Sequence, residues 1–199
     1  YIDFVRNETM RQIEPIWKKA LADGREIPVT TEAGAKFFLR NTPTDRLLAM
    51  ARTRPVCLEM LFRPGLRDEQ RRDALTELAQ LDKKPQLAVL LDAIRAIDEK
   101  KETRDETVLF DLVRLLTGRR DDELARARTE LEKLATSAQQ PIVRHVSFAA
   151  IVNVDGGADK AWTLATRSVA ALTDFVNATP LVADAGLRAR LYPKIEPLL

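Results

Sequence analysis

The chain has very little of the residues that usually build catalytic and metal centres. It contains one histidine, His145, and one cysteine, Cys57, among 199 residues. A single cysteine excludes an intrachain disulfide, and no CxxC or CxxCH motif provides for a cysteine-bound metal, a redox pair or c-type haem attachment. A zinc site needs three or four Cys, His or carboxylate ligands. We therefore predict no metal site and no cofactor site.

Glycine, aromatic residues and long apolar runs are also scarce. Seven glycines and 6% aromatic residues disfavour a β-sandwich or barrel, whereas the abundant Leu, Ala, Arg, Asp and Glu favour helix. No apolar run reaches the length of a membrane span, and no signal peptide is recognisable. The chain starts at Tyr1 rather than Met and ends on apolar residues, so we expect a segment cut from a longer protein. The missing signal peptide is therefore weak support for a cytoplasmic location.

Charge of one sign is not concentrated anywhere in the chain. Thirty-two Lys and Arg oppose 30 Asp and Glu, which leaves a net charge of +2. The signs alternate in "RDEQRRD" (67–73), "DEKKETRDE" (98–106) and "RRDDELARARTELEK" (119–133). Such alternation predicts solvated helix faces with i,i+4 ion pairs. A nucleic-acid groove would instead concentrate positive charge on one face.

Apolar residues recur at helical spacing along most of the chain. We place helix starts near residues 67, 85, 105, 121, 141 and 158, so that alternate starts lie 36 to 38 residues apart. A fixed period near 37, with two helices in each repeat, is typical of an α-solenoid. The predicted fold is an all-α, HEAT-like solenoid of stacked antiparallel helix pairs (43–199) with an N-terminal helical cap or adaptor (1–42). An irregular helical bundle is the alternative.

Several local features fix the expected helices. Pro141 opens a helix that Gly156 ends, and "QPIVRHVSFAAIVNVDGG" resembles the first helix of a HEAT repeat, with its Pro-x-Val-Arg start. One helix of about 20 residues is expected to follow from Asp159, and 121–137 is predicted as one helix. Other expected caps and stops are Thr30 or Thr31, Thr42 or Thr44, Pro55, Gly24 and Asp184. Expected inward-facing residues include Ile13, Ile16, Ala20, Leu21, Leu81, Leu131, Val169 and Leu172.

His145 and Cys57 are the first candidates for chemistry. His145 lacks a second histidine for a metal site, and Ser147, two residues on, points elsewhere on a helix. We therefore interpret His145 as a residue at the edge of a packing face rather than a ligand or general base. Cys57 lies at an inward position and is interpreted as a buried thiol, although Arg52, Arg54 and Arg63 are near in sequence.

The other candidates also have structural interpretations. The carboxylate pairs Asp121/Asp122 and Asp105/Glu106 are interpreted as helix starts. The segment "VDGGAD" lacks a calcium-loop pattern and is interpreted as a turn between helices. Trp17 and Trp162 lie on apolar stripes and are assigned to core packing. No catalytic, cofactor-binding or metal-binding residue is predicted.

Three segments carry a resemblance to a known group of proteins: "FVRNETMRQIEPIWKKALADG", "TTEAGAKFFLRNTPTDRLLAMARTRPVCLEMLFRPG" and "RRDALTELAQLDK". They resemble the helical segment of large secreted bacterial proteins in which a sugar-dehydrogenase-like β-propeller, a HEAT-like segment and a haem-binding c-type cytochrome domain share one chain. The resemblance implies a spacer between redox modules in a periplasmic or secreted protein. Because this chain lacks CxxCH and propeller sequence, no cofactor residue carries over.

Three functions follow as hypotheses. The first is a non-catalytic scaffold or spacer that positions flanking redox modules or a protein partner, with no membrane span. The second is a nucleic-acid-binding HEAT-like protein, such as one of a DNA-repair type, although the interleaved acids disfavour it. Its contact residues would be Arg119, Arg120, Arg126, Arg128, Arg188 and Arg190. The third is a hydrolase or transferase whose carboxylates converge in a pocket.

Overall fold

A computed structural model of the chain describes residues 2–22, 32–99 and 106–198. All regular structure in these ranges is helical, which confirms the all-α prediction. The helices are α1 (Ile2–Ala22), α2 (Glu32–Asn41), α3 (Thr44–Ala49), α4 (Arg54–Phe62), α5 (Asp68–Asp82), α6 (Gln86–Asp98), α7 (Glu106–Thr117), α8 (Asp121–Arg126), α9 (Arg128–Ser137), α10 (Pro141–Asp155), α11 (Asp159–Ala165), α12 (Val169–Ala178) and α13 (Ala185–Ile195). Two short 3-10 helices follow α12 and α13, at Thr179–Leu181 and Glu196–Leu198 respectively.

The chain forms two compact units, Tyr1–Thr42 and Pro43–Leu199. In the first unit, Pro15 lies inside α1, which continues to Ala22. Ile13 and Ile16, which we expected to face inward, are exposed, so that part of the prediction is wrong. The expected stop at Gly24, the caps at Thr30 and Thr31, and the side chains of Trp17, Ala20 and Leu21 lie outside what the structure describes.

In the second unit, most helices that follow one another in sequence contact one another in space. Contacts join α3 to α4, α4 to α5, α5 to α6, α6 to α7, α9 to α10, and α11 to α12. Helix α7 also contacts α5 on one side in the sequence and α10 on the other. Helix α10 contacts α7, α8, α9, α11 and α12, and every residue from Val146 to Val152 is buried. A helix that is apolar nearly all round needs neighbours on several sides, and α10 has them.

The predicted helix starts agree closely with the structure. Helices α5, α7 and α10 begin at 68, 106 and 141, which are 38 and 35 residues apart. Helices α6, α8 and α11 begin at 86, 121 and 159, which are 35 and 38 residues apart. The spacing predicted from the apolar pattern is therefore present within the second unit.

Two helices that we expected to be continuous are each divided in two. Ala127 separates α8 from α9, and Thr166–Ser168 separates α11 from α12. Ser168 then caps α12, because its Oγ accepts a hydrogen bond from the Ala171 amide at 3.1 Å. The break changes the helical register, so Val169 is 83% exposed and Leu172 only half-buried, whereas Phe175 is buried. Their assignment to one inward stripe with Ala161 was wrong.

Several helix ends obey local rules. Pro141 occupies the first turn of α10, and Gly156 ends that helix in the left-handed conformation with φ 61°. Asp184 caps α13 by accepting a hydrogen bond from the Leu187 amide. One expected cap is wrong, because Pro43 precedes α3 and the Thr42 hydroxyl donates back to the Phe38 carbonyl instead.

The start of α4 agrees with the prediction, whereas the end of α5 does not. Pro55 lies in the first turn of α4, as predicted. Leu81, expected on the buried stripe of α5, is 49% exposed. It lies in the last turn of α5, just before Lys83 takes a left-handed conformation, so the buried stripe of this helix ends at Ala79.

Candidate functional site

The only histidine contacts a buried carboxylate from another helix. His145 Nε2 lies 3.0 Å from Asp174 Oδ1, across the contact between α10 and α12. Arg144 donates to the other oxygen of the same carboxylate, with its Nε 2.6 Å from Asp174 Oδ2. The hydroxyl of Ser147 is buried and has no hydrogen-bond partner among the described residues. A histidine held by an aspartate has the orientation of a general base, but this serine does not complete a nucleophile–base pair.

Arg71 is a fully buried cation that joins three helical elements. Its guanidinium donates to the carbonyls of Leu61 and Arg63, the latter at 3.0 Å, where α4 ends. It also donates to Asp111 of α7 at 2.8 Å. Burial is the main cause that lowers the pKa of Arg71, and Asp111 opposes this effect. The interpretation of residues 67–73 as a solvated face is therefore wrong at Arg71.

The position of this arginine recurs in later helices. Arg71, Arg144 and Arg188 each lie four residues after the N-cap of their helix. Each donates to carbonyls of the segment that precedes its own helix. Arg71 and Arg144 each add an aspartate from a later helix, Asp111 and Asp174. The same side chain therefore makes the same type of connection at three places in the chain.

Asp98, the last residue of α6, forms a second kind of connection. Its two carboxylate oxygens accept hydrogen bonds from the amides of Gln139 and Gln140, at 2.8 and 2.7 Å. These amides immediately precede α10, and Asp98 itself is 6% exposed. A buried carboxylate thus holds the start of a helix that lies more than forty residues further along the chain.

The first acidic residue of "VDGGAD", Asp155, is paired with two cations. Arg128 donates from Nε and Nη2 to the two oxygens of Asp155, at 3.0 and 2.7 Å, and Lys160 lies 3.2 Å away. The Arg128 hydrogen bond is the main reason that the pKa of Asp155 is lowered. The glycines that follow form the turn between α10 and α11, as predicted. The arrangement joins α9 to α10 through a bidentate ion pair.

Cys57 and Trp162 both have packing roles. Cys57 is fully buried, and burial raises the pKa of its thiol. Trp162 meets Phe175 edge to face at 5.9 Å between ring centroids, and the Lys194 ammonium lies 5.6 Å from the Trp162 ring. These surroundings agree with the interpretation of Cys57 as a buried thiol and of Trp162 as a packing residue. The side chain of Trp17 lies outside the described residues.

The structure describes one of the two carboxylate pairs. Asp121 and Asp122 occupy the first turn of α8, and Asp122 pairs with Arg120 at 3.1 Å. Asp105 and the side chain of Glu106 lie outside the described residues. Within the parts of the chain that the structure describes, no three His, Cys or carboxylate side chains are placed to hold a metal ion.

A groove between α6 and the α8–α9 segment has a volume of about 560 Å³. We call it the α6–α9 groove, and its lining consists of Pro85, Gln86, Leu87, Ala88, Leu91, Asp92, Arg95, Arg119, Arg120, Glu123, Arg126, Ala127 and Glu130. Arg95 donates across the groove to Glu130 at 2.7 Å, and Arg119 donates to Gln86 at 2.9 Å. The α6–α9 groove is therefore lined by apolar residues and by arginines, some of which already form hydrogen bonds within the chain.

The six arginines of the nucleic-acid hypothesis do not form one free cationic face. Arg119 and Arg120 pair with Glu123, Arg128 pairs with Asp155, and Arg188 donates to backbone carbonyls. The side chains of the remaining two, Arg126 and Arg190, are exposed and have no ion pair or hydrogen bond in the described parts of the chain. Three of the six, Arg119, Arg120 and Arg126, line the α6–α9 groove.

From the sequence we could recognise the polar residues of these contacts between helices, but not the residues that they pair with. No local pattern places Asp98 beside Gln139, or Asp174 beside His145. The shared position of Arg71, Arg144 and Arg188, four residues after the N-cap of each helix, is a local signal that the sequence contains.

Comparison with known proteins adds no relative. No protein-family model, curated protein or solved structure matches this chain. The resemblance to multidomain redox proteins stays a prediction, and the function has to be argued from the geometry. In the described residues, no helix has both the length and the apolar character needed to cross a membrane.

Proposed function

We propose that the chain is a non-catalytic, HEAT-like helical-repeat scaffold that holds flanking modules or a protein partner at a fixed separation. Two observations support the repeat. The starts of α5, α7 and α10, and those of α6, α8 and α11, lie 35 to 38 residues apart, and most helices that follow one another in sequence are in contact. Each helix pair buries an apolar face against the next pair, which is how solenoids gain stability.

The observation that carries the proposal is a series of polar bridges between helices. Arg54 meets Asp82 between α4 and α5, and Arg114 meets Asp68 between α7 and α5. Lys194 of α13 and Asp159 of α11 join these two helices at 3.0 Å. The other contacts of this kind are those already described for Arg71, Arg95, Asp98, Arg128 and Arg144. The charged side chains that a catalytic site would need are thus engaged in contacts that hold one helix against another.

Burial makes several of these bridges informative about rigidity. Exposed ion pairs contribute little stability, whereas a buried pair is strongly destabilising to break because it leaves a charge without a partner. Arg71, Asp98 and Asp174 are all buried. Sliding or opening of neighbouring helices would break these contacts, and we expect a single arrangement of the second unit.

The resemblance supplies the context of this scaffold. It suggests a β-propeller and a c-type cytochrome domain as the flanking modules, in a periplasmic or secreted protein. The coding sequence on either side of this segment tests that part of the proposal. A CxxCH motif downstream and propeller repeats upstream would support it, whereas unrelated flanking sequence would leave only the scaffold.

Fixed separation is measurable with two spin labels on the second unit. Gln80 of α5 and Arg190 of α13 are exposed, so cysteines at these positions accept nitroxides. Cys57 can remain, because a buried thiol of raised pKa reacts slowly. Pulsed dipolar spectroscopy should give one narrow distance distribution that broadens in Asp98→Asn. A broad distribution in the parent chain would contradict the scaffold.

The nucleic-acid alternative has no observation in its favour beyond Arg126 and Arg190. A gel-shift titration with duplex DNA at low and moderate salt distinguishes the two functions, because phosphate contacts weaken steeply as salt rises. We expect no shift at low salt. A salt-dependent shift that Arg126→Gln weakens would favour the alternative.

A further inference from the structure

The α6–α9 groove differs from the other polar sites in having a cation without a partner. Arg95 is bound to Asp92 and Glu130, and Arg119 to Gln86 and Glu123. Arg126 lines the same groove, yet its guanidinium makes no ion pair or hydrogen bond in the described parts of the chain. Scaffolding does not require such a group.

The charges around the groove leave Arg126 as the cation available to a ligand. The lining has four arginines and three carboxylates, and Arg120 also pairs with Asp122, which lies outside the lining. The first turn of α6 also borders the groove through Pro85, Gln86 and Leu87, and no side chain caps this helix. The unsatisfied amides of a helix start favour an anion, which adds to the effect of Arg126.

The inner part of the groove is apolar. Leu87 and Leu91 are buried, and Ala88 and Ala127 are half-buried beside them. The two alanines leave space where larger side chains would fill it. An occupant of this groove would therefore meet apolar side chains on one part of its surface and a cation on another.

We propose that the α6–α9 groove binds a small organic monoanion with an apolar body, such as an aromatic or branched carboxylate or sulfonate. The size of the groove favours a small molecule over a protein, since about 560 Å³ lies within the range of roughly 300 to 1,000 Å³ for small-molecule sites. A stable protein interface needs about 800 Å² on each partner. The anionic group pairs with Arg126, and the apolar body covers Leu87, Leu91 and Ala127.

The probe for this site is anilinonaphthalene sulfonate, a fluorescent monoanion with an apolar aromatic body. Its uncharged relative phenylnaphthylamine is the matched probe without the anionic group. We expect saturable binding of the anion at one site and weaker binding of the uncharged probe. Amide NMR spectra locate the site, because the largest shift changes should fall on Gln86 and Leu87.

Variants distinguish this groove from other apolar surfaces that attract the same dye. Arg126→Gln should weaken binding of the anion about tenfold, as expected for loss of one charge-assisted hydrogen bond. Arg190→Gln is the matched control, because Arg190 is also exposed, lies outside the groove lining and has no partner among the described residues. Ala88→Leu should weaken both probes by filling the apolar part.

Each outcome decides the proposal. Selective loss of the anion in Arg126→Gln, with Arg190→Gln unchanged and the uncharged probe unaffected by either, supports it. Equal affinity for both probes, equal effects of the two arginine variants, or shift changes confined to α1 overturn it. Absence of saturable binding to the folded chain overturns it as well. Circular dichroism checks that each variant keeps its helical content.

Discussion

Replacement of Arg71 by methionine should destabilise the second unit more than any substitution of an exposed charge. Methionine keeps an unbranched chain of similar helix propensity, so the helix itself is barely affected. What is lost is the guanidinium, with its hydrogen bonds to the carbonyls of Leu61 and Arg63 and to Asp111. The carbonyls lie at the end of α4, where a cation also interacts favourably with the helix dipole.

The magnitude follows from the opposing contributions. Breaking a buried ion pair by removing one partner costs about 3 to 5 kcal/mol. Two features of this site reduce the cost, because Asp111 retains a hydrogen bond from Arg114 and the buried Arg71 Nε has no partner to lose. We therefore expect a loss of about 3 kcal/mol, or a melting temperature lower by about 6 to 12 °C.

The assay is denaturant unfolding in a Trp17→Phe background, in which Trp162 alone reports on the second unit. Arg72→Met is the matched control, because Arg72 is exposed on the same helix, and it should change the free energy of unfolding by less than about 0.5 kcal/mol. In an Asp111→Asn background most of the Arg71→Met loss should persist if the carbonyl contacts dominate. A loss below about 1 kcal/mol, or one equal to that of Arg72→Met, would refute the reasoning.

Three further substitutions test other parts of the structure. Asp98→Ala leaves two amides without their acceptor and should lower the free energy of unfolding, measured with denaturant, by about 3 kcal/mol. Asp98→Asn should be intermediate, because its side-chain oxygen still accepts a hydrogen bond. Equal stability of the parent and the two variants would contradict this. Leu131→Asp should unfold the second unit, since Leu131 is fully buried. Val169→Asp changes an exposed position and should leave the free energy of unfolding, measured from the loss of helical signal, within about 0.5 kcal/mol of the parent. The lowered pKa of Asp155 means that the folded state binds fewer protons, so its stabilisation is present above the unfolded pKa of about 3.9 and is lost as pH falls further. The stability difference between the parent and Asp155→Asn should therefore shrink as pH is lowered from about 5 toward 2, and a constant difference would exclude the Arg128 pairing.

Local patterns predicted the elements that depend on neighbours in sequence. Pro141 and Gly156 bound α10 because proline favours the first turn and glycine accepts the left-handed conformation that ends a helix. Asp184 caps α13 for the same kind of reason. These features involve hydrogen bonds across three or four residues, so the sequence contains all of their participants.

The wrong predictions share a different cause. The α11–α12 region has an apolar period compatible with one helix, yet Ser168 caps a new helix and Val169 turns outward. Arg71 lies in a segment of alternating charge but is buried because α4 and α7 supply partners for it. Periodicity records which side chains are apolar, and it does not record which polar groups find a buried partner.

The amino-acid sequence by itself determined that this chain is helical, where most of its helices begin, and that repeated starts lie about 37 residues apart. Only the tertiary structure decided that Asp98 receives the amides before α10, that His145 contacts Asp174, and that Arg126 has no partner among the described residues. The physical reason is range. Helix formation depends on dihedral preference and on hydrogen bonds within one turn, whereas the environment of a polar side chain depends on which helices packing has brought beside it.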